Sequence, residues 1–273
     1  ASSLTNLVSS SGVVATDVAG VGTARHTLAA CEFGGGKGIF GYGYSHPTIV
    51  SMSNLVSSSG VVAADVSGVG TARYYLAACS YGEDKGIFGF GQASGSLTAV
   101  TNLVSNTGVI GTDVSGVGTA RYFLAATQYG DDKGIFGFGA TDGTVRVGMT
   151  NLVSNLGVVA SDVSAVGTVR HGLAACSYGG DKGIFGYGND GSVASMSNLV
   201  SNTGVVATDT SGVGTARYAL AACEYDGDKG IFGYGYTTSN VSMSNLVNTS
   251  GVVASDVTGV GTARFGPAAC SFN

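Results

Sequence analysis

The feature that most constrains this chain is an internal repeat. The tripeptide Asn-Leu-Val recurs with its Asn at positions 6, 54, 102, 151, 198 and 245 of the 273-residue sequence, a spacing of about 48 residues. Each copy is followed by Gly-Thr-(Ala/Val)-Arg, and the segment Lys-Gly-Ile-Phe-Gly occurs five times. A fixed period of this length is typical of repeat architectures in which each unit is one supersecondary element. The sequence therefore predicts six units.

Each unit has the pattern of four short strands. In the second complete copy, a β-prone run at 75–81 is followed by turn residues 82–84 and a second apolar run at 85–90. After a variable stretch come the apolar runs 100–104 and 109–114, separated by a Ser-Asn-Thr-Gly turn. Such runs predict antiparallel hairpins. Four antiparallel strands in about 48 residues is the size of one β-propeller blade.

Composition favours the same architecture. The 47 glycines and only two prolines suit many tight turns, and no apolar run approaches the roughly 20 residues of a membrane helix. The net charge of -5 argues against a nucleic-acid partner. An Ala-Ala pair in every first strand favours a propeller, whose innermost strands converge, over the alternative of a β-solenoid, which would need shorter coils and end caps.

We therefore predict one all-β domain at residues 1–273, a six-bladed β-propeller of four-stranded repeats whose sixth blade is shared between the N- and C-termini. The approximate units are 1–21 with 265–273, then 22–69, 70–117, 118–166, 167–213 and 214–260. The first of these is called the split unit below. It contains no Lys-Gly-Ile-Phe-Gly segment.

The split unit can be completed in three ways. The chain can continue beyond residue 273, the unit can have only three strands, or another polypeptide can add the strand at an edge. Unpaired backbone is costly when buried and adhesive when exposed. We expect the gap between 265–273 and 4–8 to be filled, either in cis or by a neighbouring chain.

The order of motifs resembles a known family. Gly-Thr-Ala-Arg, an apolar strand, Gly-Asp-Lys and Ile-Phe-Gly-Tyr-Gly together resemble the kelch-like repeat of galactose-oxidase-type propellers over nearly the whole chain. The glycine pair of kelch strands is here split by an aromatic residue, and the chain has no Trp. The repeat is also similar to that of repetitive proteins encoded by tailed phages and environmental bacteria. That resemblance implies an appendage or receptor-binding role, extracellular or on a virion.

Basic residues belong to the repeat design. Eleven of the twelve occupy repeated positions, and Arg146 is the exception. We expect each repeated arginine to be structural and to reach a carboxylate or carbonyls between units, with the repeated aspartate as its partner. The arginines are Arg25, Arg73, Arg121, Arg170, Arg217 and Arg264, and the aspartates are Asp17, Asp65, Asp113, Asp162, Asp209 and Asp256.

No pattern of catalytic or metal-binding residues is found. The five cysteines share one repeat position, which predicts free, buried thiols too far apart for disulfides. There is no CxxC pair, and the only histidines are His26, His46 and His171. GxSxG, HExxH and P-loop motifs are missing. We therefore predict a protein that is not an enzyme and has no cofactor or metal.

Two places vary between copies and share one predicted face. The first is the pair of residues after each arginine, whose first members are the candidate binding residues His26, Tyr74, Tyr122, His171, Tyr218 and Phe265. The second is the loop between strands two and three, which gives the candidate rim residues Tyr44, His46, Gln92, Asp142, Arg146, Asn189, Asp190 and Tyr236. Aromatic rings with polar edges suit sugar or peptide recognition. The alternative is that they close the mouth of the channel.

These residues predict a non-enzymatic recognition module. Its expected ligand is a glycan or cell-surface receptor, bound through one propeller face as part of a phage or extracellular appendage. The alternative is a purely structural subunit of a virion or extracellular assembly. Neither reading involves nucleic acid or membrane insertion.

Overall fold

The computed structural model describes residues 1–272 and contains only β-strands, turns and irregular segments within that range. The expectation of an all-β repeat protein is confirmed. Many small antiparallel sheets follow one another in a repeated arrangement, which is consistent with a β-propeller.

Each of the five units between residues 22 and 260 contains a three-stranded antiparallel sheet. Its central strand is always the Lys-Gly-Ile-Phe-Gly segment. The strands in chain order are β1 (Ala29–Phe33), β2 (Lys37–Gly41), β3 (Tyr44–Ser45), β4 (Thr48–Ile49), β5 (Ser53–Val56), β6 (Ala77–Tyr81), β7 (Lys85–Gly89), β8 (Gln92–Ala93), β9 (Ser96–Leu97), β10 (Thr101–Val104), β11 (Ala125–Tyr129), β12 (Lys133–Gly137), β13 (Thr150–Val153), β14 (Ala174–Tyr178), β15 (Lys182–Asn189), β16 (Val193–Val200), β17 (Ala221–Tyr225), β18 (Lys229–Gly233) and β19 (Ser244–Val247).

The pairing is the same in every sheet. In the second complete unit, β7 pairs on one side with β6 and on the other with β10. The variable loop between strands two and three forms the small hairpins β3–β4 and β8–β9 in the first two complete units. In the fourth, it is absorbed into the longer strands β15 and β16, with a register shift between Gly186 and Gly188.

The predicted fourth strand is not a continuous strand. It joins the sheet through two isolated bridges, as in the pairs Val104↔Ile110 and Thr101↔Val114. The physical reason lies in the Asn of the Asn-Leu-Val motif. The side-chain amide of Asn102 donates to the carbonyl of Gly111 at 3.0 Å, so a side chain binds a carbonyl that a regular ladder would pair with backbone N–H.

Neighbouring units pack through their first strands. β1 contacts β6, β6 contacts β11, β11 contacts β14 and β14 contacts β17. The phenylalanine of each central strand reaches over the preceding unit. Phe88 is 0% exposed, and its ring would lie 2.7 Å from a Cβ placed on Gly41. A side chain at Gly41 would therefore clash, which explains why glycine ends the central strand.

A buried arginine joins each pair of units. Arg121 is 0% exposed. Its Nη2 donates to Asn151 Oδ1 at 2.7 Å and its Nη1 to the Thr119 carbonyl at 3.1 Å. The guanidinium lies 4.3 Å from the ring centre of Phe90 in the preceding unit. Burial lowers the pKa of Arg121 to about 10, so the group is still charged at neutral pH.

The same arrangement recurs along the chain. The arginine Nη2 donates to the motif Asn at 2.5 to 2.7 Å in all five complete units. The repeated aspartate lies farther from the arginine, at 3.5 to 4.0 Å in all six units. Asparagine is thus the closest partner of the arginine, which the sequence did not indicate. Each aspartate instead accepts from the backbone N–H and hydroxyl of the threonine two residues before the arginine, as Asp162 does from Thr119.

The arrangement also links the two ends of the chain. Arg264 donates to Asn6, and the backbone and side chain of Thr262 donate to Asp17. The side-chain amide of Asn6 also donates to Asp17, at 2.9 Å, and the hydrogen bonds from the Thr262 hydroxyl and from Asn6 lower the pKa of Asp17 to about 2. In the split unit, the predicted first strand reaches residue 273, which lies outside the described residues. The part at 265–272 belongs to no ladder with another described residue.

Replacing Arg121 by lysine tests this seam. Lysine keeps the charge but cannot make the forked contacts to Asn151 and Thr119, so we expect a loss of about 2 kcal/mol in the free energy of unfolding. Urea denaturation gives the value. The matched control is Arg146→Lys on a variable loop, for which the expected loss is below about 1 kcal/mol. Equal losses in the two variants would contradict this role of the buried arginine.

Candidate functional site

The two variable places lie side by side. The residue after each arginine forms an isolated bridge with the first residue of its variable loop, in the pairs His26↔Tyr44, Tyr74↔Gln92, Tyr122↔Ala140, His171↔Asn189 and Tyr218↔Tyr236. We call the residues after the six arginines the ring residues. The end of the molecule that they occupy is the aromatic end.

The next residue in each unit has an unusual backbone conformation. Its φ is positive in all six units, between 52° and 65°. We call these the inner residues: Thr27, Tyr75, Phe123, Gly172, Ala219 and Gly266. Four of them are not glycine, and a left-handed conformation is strained for threonine, tyrosine or phenylalanine. These residue types are not typical of a left-handed backbone, so the conformation could not be predicted from the sequence.

Backbone hydrogen bonds link the inner residues in sequence. Tyr75 N–H donates to Thr27 O, Phe123 to Tyr75, Gly172 to Phe123, Ala219 to Gly172 and Gly266 to Ala219, at 2.6 to 2.9 Å. The series returns to its start, because Thr27 N–H donates to Gly266 O at 2.9 Å. Six residues with a left-handed backbone therefore share one circuit of hydrogen bonds, which compensates for the strain at the four that are not glycine.

The circuit brings the aromatic side chains into contact. Starting from Phe265, the centroid distances to successive rings are 6.4 Å to His26, 5.4 Å on to Tyr44, 5.7 Å to Tyr74, 4.6 Å to Tyr75, 5.8 Å to Tyr122, 5.6 Å to Phe123, 5.6 Å to His171, 6.5 Å to Tyr218 and 6.1 Å back to Phe265. All six ring residues take part, and each is half-buried.

Two members of this run were missed by sequence reasoning. Tyr75 and Phe123 are inner residues, and their ring centres are only 3.7 Å apart. Both were part of the variable pair after the arginine, but only its first member was singled out. Burial raises the pKa of Tyr75 to about 12, with smaller contributions from neighbouring tyrosines. These two rings pack on each other and are half-buried, as the ring residues are.

The candidate rim residues surround this run. The hydroxyl oxygen of Tyr44 lies 3.2 Å from His46 Nδ1. The ring of Tyr236 packs on those of Tyr218 and Phe265. Arg146 donates to the carbonyl and to the side-chain oxygen of Asn189, at 3.1 and 3.0 Å.

The other rim residues are engaged mainly within their own loops. Asp142 accepts from the backbone of Thr144 and Val145, each at 2.7 Å. Asp190 accepts from the backbone of Ser192. Gln92 is half-buried next to Tyr74, to which its backbone is bridged. His46 and Asp142 are exposed.

His26 and His171, the two imidazoles among the ring residues, are neutral at pH 7. Burial lowers the pKa of His26, and burial together with the nearby charge of Arg146 lowers that of His171. The surface that this end offers is therefore apolar and aromatic at its centre, with one cation and several amide and carboxylate groups at its edge. Such a surface is suited to binding through ring faces and hydrogen bonds.

A second group of residues lies at the other end of the first strands. These polar-end residues follow the repeated cysteine position and were not predicted from the sequence; they are Glu32, Ser80, Gln128, Ser177, Glu224 and Ser271. Several of them line a cavity of about 210 Å³. Burial raises the pKa of both Glu32 and Glu224, and Ser177 donates a hydrogen bond to Glu224. Within residues 1–272, no group of three His, Cys, Asp or Glu side chains is placed to hold a metal ion.

No protein-family model matches this chain, and the search of curated proteins gives no match either. In the part of the chain that the structure describes, no helix is long and apolar enough to cross a membrane. The case for a function therefore depends on the geometry of the two ends.

The buried carboxyl of Glu224 predicts a pH-dependent stability. Folding raises the pKa of this carboxyl above its ordinary value of 4.5. Its contribution to the free energy of unfolding is therefore most favourable below pH 4.5, and it becomes less favourable as the pH rises from 4.5 towards the pKa of the folded state. We expect Glu224→Gln to be more stable than the parent chain at pH 7 and similar to it at about pH 4, in urea titrations. Asp190→Asn at the aromatic end is the charge-matched control. A difference for Glu224→Gln that does not change with pH would contradict the interpretation.

Proposed function

We propose that the six units form a closed six-bladed β-propeller whose sixth unit is built from both ends of the chain. The circuit of inner-residue hydrogen bonds through Thr27 and Gly266 supports closure. So does the position of Cys270, whose Sγ lies against Gly38 as that of Cys31 lies against Gly86. The contacts of Arg264 and Thr262 with Asn6 and Asp17 add a sixth seam of the same kind.

We further propose that the aromatic end is a recognition surface and that the protein is a non-enzymatic binding module. The proposed ligand is a glycan or cell-surface receptor, and the proposed setting is a phage or other extracellular appendage. The observation that carries this proposal is the unbroken run of half-buried aromatic rings. Rigid tyrosine rings offer large contact areas and a hydroxyl at little conformational cost.

The rim supports selectivity. Within the complete units the central-strand sequence hardly changes, whereas the rim differs from loop to loop, with Arg146 and Asn189 on one side and His46 on another. A scaffold that repeats its core while varying the groups around one surface can match an asymmetric ligand. These groups offer donors and acceptors at the edge of the aromatic surface.

A structural subunit of a virion or extracellular assembly is the second candidate. One observation favours it: a valine of the outermost segment is 59 to 65% exposed in each of the six units. The valines are Val13, Val61, Val109, Val158, Val205 and Val252. A repeated apolar edge of this kind is available for lateral packing.

A glycan array separates the two candidates. We expect specific binding by the parent chain and at least about a tenfold loss for the triple variant Tyr74→Ala, Tyr122→Ala, Tyr218→Ala, which corresponds to about 1.4 kcal/mol. The triple variant Val109→Thr, Val158→Thr, Val205→Thr is the matched control, because it alters exposed residues at the outer edge. Circular dichroism verifies that both variants fold.

Binding that survives loss of the three tyrosines would contradict recognition at the aromatic end. Loss of binding or of higher-order assembly in the valine variant alone would favour the structural role.

A further inference from the structure

The split unit contains a cavity of about 800 Å³. It lies between residues 265–272 on one side and residues 4–8 on the other, and both segments line it. In each complete unit, the corresponding place is filled by the central strand. β12, for example, pairs with β11 on one side and with β13 on the other. We call this cavity the slot.

The backbone on both sides of the slot lacks this pairing. In the complete units, the five residues from Ala-Ala onward form a ladder with the central strand. The equivalent residues 268–272 belong to no ladder with a described residue, and residues 4–8 pair only outward, through bridges of Thr5 and Val8 to Val18 and Val14. Two strand edges therefore face each other across the slot.

A pocket for one side chain lies on the wall of the slot. In four units, the last glycine of the central strand is covered by a phenylalanine of the next unit, whose ring comes within 2.7 Å of a Cβ placed there. The glycines are Gly41, Gly89, Gly137 and Gly186. Gly233 is the fifth, and within the described residues nothing lies within 4 Å of its Cβ position. The place that a phenylalanine ring fills in the other four units is therefore open over Gly233.

A second pocket lies at Arg25. The other five repeated arginines each lie 4.2 to 4.4 Å from an aromatic ring of the preceding unit. For Arg25, the preceding unit is the split unit, and no ring from residues 1–272 occupies that position. An aromatic residue two places after the phenylalanine would provide it, as Tyr42 follows Phe40 in the sequence and lies under Arg73.

Apolar side chains around the slot are more exposed than their counterparts. Phe40 is half-buried, whereas Phe88, Phe136, Phe185 and Phe232 are 0% exposed. Val8 is half-buried, whereas its counterparts Val104, Val153, Val200 and Val247 are 0% exposed. Burying these groups would be favourable at about 25 cal/mol per Å² of apolar surface. The slot is thus an apolar groove with two unpaired edges.

Packing against the wall of the slot also requires a small residue at one position of the strand that fills it. In the complete units, the glycine after the lysine lies against the side chain of the preceding unit's first strand, and a Cβ placed on Gly86, for example, would lie 2.5 Å from Cys31 Sγ. In the slot this place faces Cys223, one of the lining residues. Only glycine fits so close to a sulfur atom.

We propose that the slot binds one extended peptide strand from outside residues 1–273, with the pattern Gly-Ile-Phe-Gly-(Tyr/Phe)-Gly. The first glycine lies against Cys223, the phenylalanine fills the pocket over Gly233, and the second aromatic residue lies under Arg25. The isoleucine packs on Phe40, Val56 and Val62, which line the slot. The strand pairs with 268–272 and with 5–8, so that backbone hydrogen bonds give affinity and the pockets give specificity.

A folded second copy of this chain is not the donor. Each of its five Lys-Gly-Ile-Phe-Gly segments is the central strand of its own sheet. The isoleucines Ile39, Ile87, Ile135 and Ile184 are all 0% exposed. Releasing one segment would open a complete unit in order to fill the incomplete one. The strand is therefore a segment outside residues 1–273 that carries this pattern.

A synthetic peptide tests the proposal on the 273-residue chain. The probe has the sequence of residues 181–189, Asp-Lys-Gly-Ile-Phe-Gly-Tyr-Gly-Asn, with a fluorescent label. We expect saturable one-to-one binding in fluorescence anisotropy and a rise in the melting temperature of the protein with peptide concentration. Peptides with Gly183→Val or Phe185→Ala, and a scrambled peptide, should bind at least about tenfold more weakly, a difference of about 1.4 kcal/mol.

A protein variant locates the binding. Gly233→Leu fills the proposed phenylalanine pocket and should abolish peptide binding while the melting temperature of the free protein changes little, because the position is open. Gly143→Leu, at another open position in a variable loop, is the matched control and should bind normally. Absence of saturable binding, equal binding of the altered peptides, or unchanged binding by Gly233→Leu would each overturn the proposal.

Discussion

The contact on which the structure depends is the buried arginine between units. A guanidinium without exposure to water needs partners for its donors, because an unpaired buried charge is very costly. Here one side chain binds the motif asparagine and a threonine carbonyl, and its flat face covers an aromatic ring of the preceding unit. Because these partners come from repeated positions, the same arginine–asparagine contact occurs in all the units, including the contact between Arg264 and Asn6.

The aromatic end follows from this arrangement. The arginine fixes the backbone just before the first strand, and the next two residues extend from that fixed point towards the centre of the molecule. The inner residue adopts a left-handed conformation and joins the hydrogen-bond circuit, so its neighbour is directed towards the variable loop. The side chains at both positions are free to vary because the circuit uses only backbone atoms. A constant scaffold thereby supports a variable surface, which is the physical basis of the proposed recognition role.

Much of this could be read from the sequence, and the exceptions have physical reasons. The repeat gave the all-β class, the sheet order within a unit and the place of Tyr74 and Tyr122 beside the loops. It did not identify asparagine as the closest partner of the arginine, since Asn-Leu-Val reads simply as part of a strand. Tyr75 and Phe123 were missed because a left-handed tyrosine or phenylalanine leaves no mark in the sequence. The fourth strand was predicted as regular, but the Asn102 amide replaces backbone pairing there. The pockets at Gly233 and Arg25 depend on comparing six copies in three dimensions.

Amide hydrogen exchange measured residue by residue tests most directly whether six equivalent units close on one another. The amide protons of Tyr75, Phe123, Gly172, Ala219 and Gly266 each donate to the unit that precedes them in the chain, whereas that of Thr27 donates to Gly266 and depends on contact between the two ends. A closed ring predicts that Thr27 is protected by a factor within about tenfold of the other five, an opening free energy within about 1.4 kcal/mol. Exchange of Thr27 at the rate of an unfolded chain, with the other five protected, would show that the ring is open.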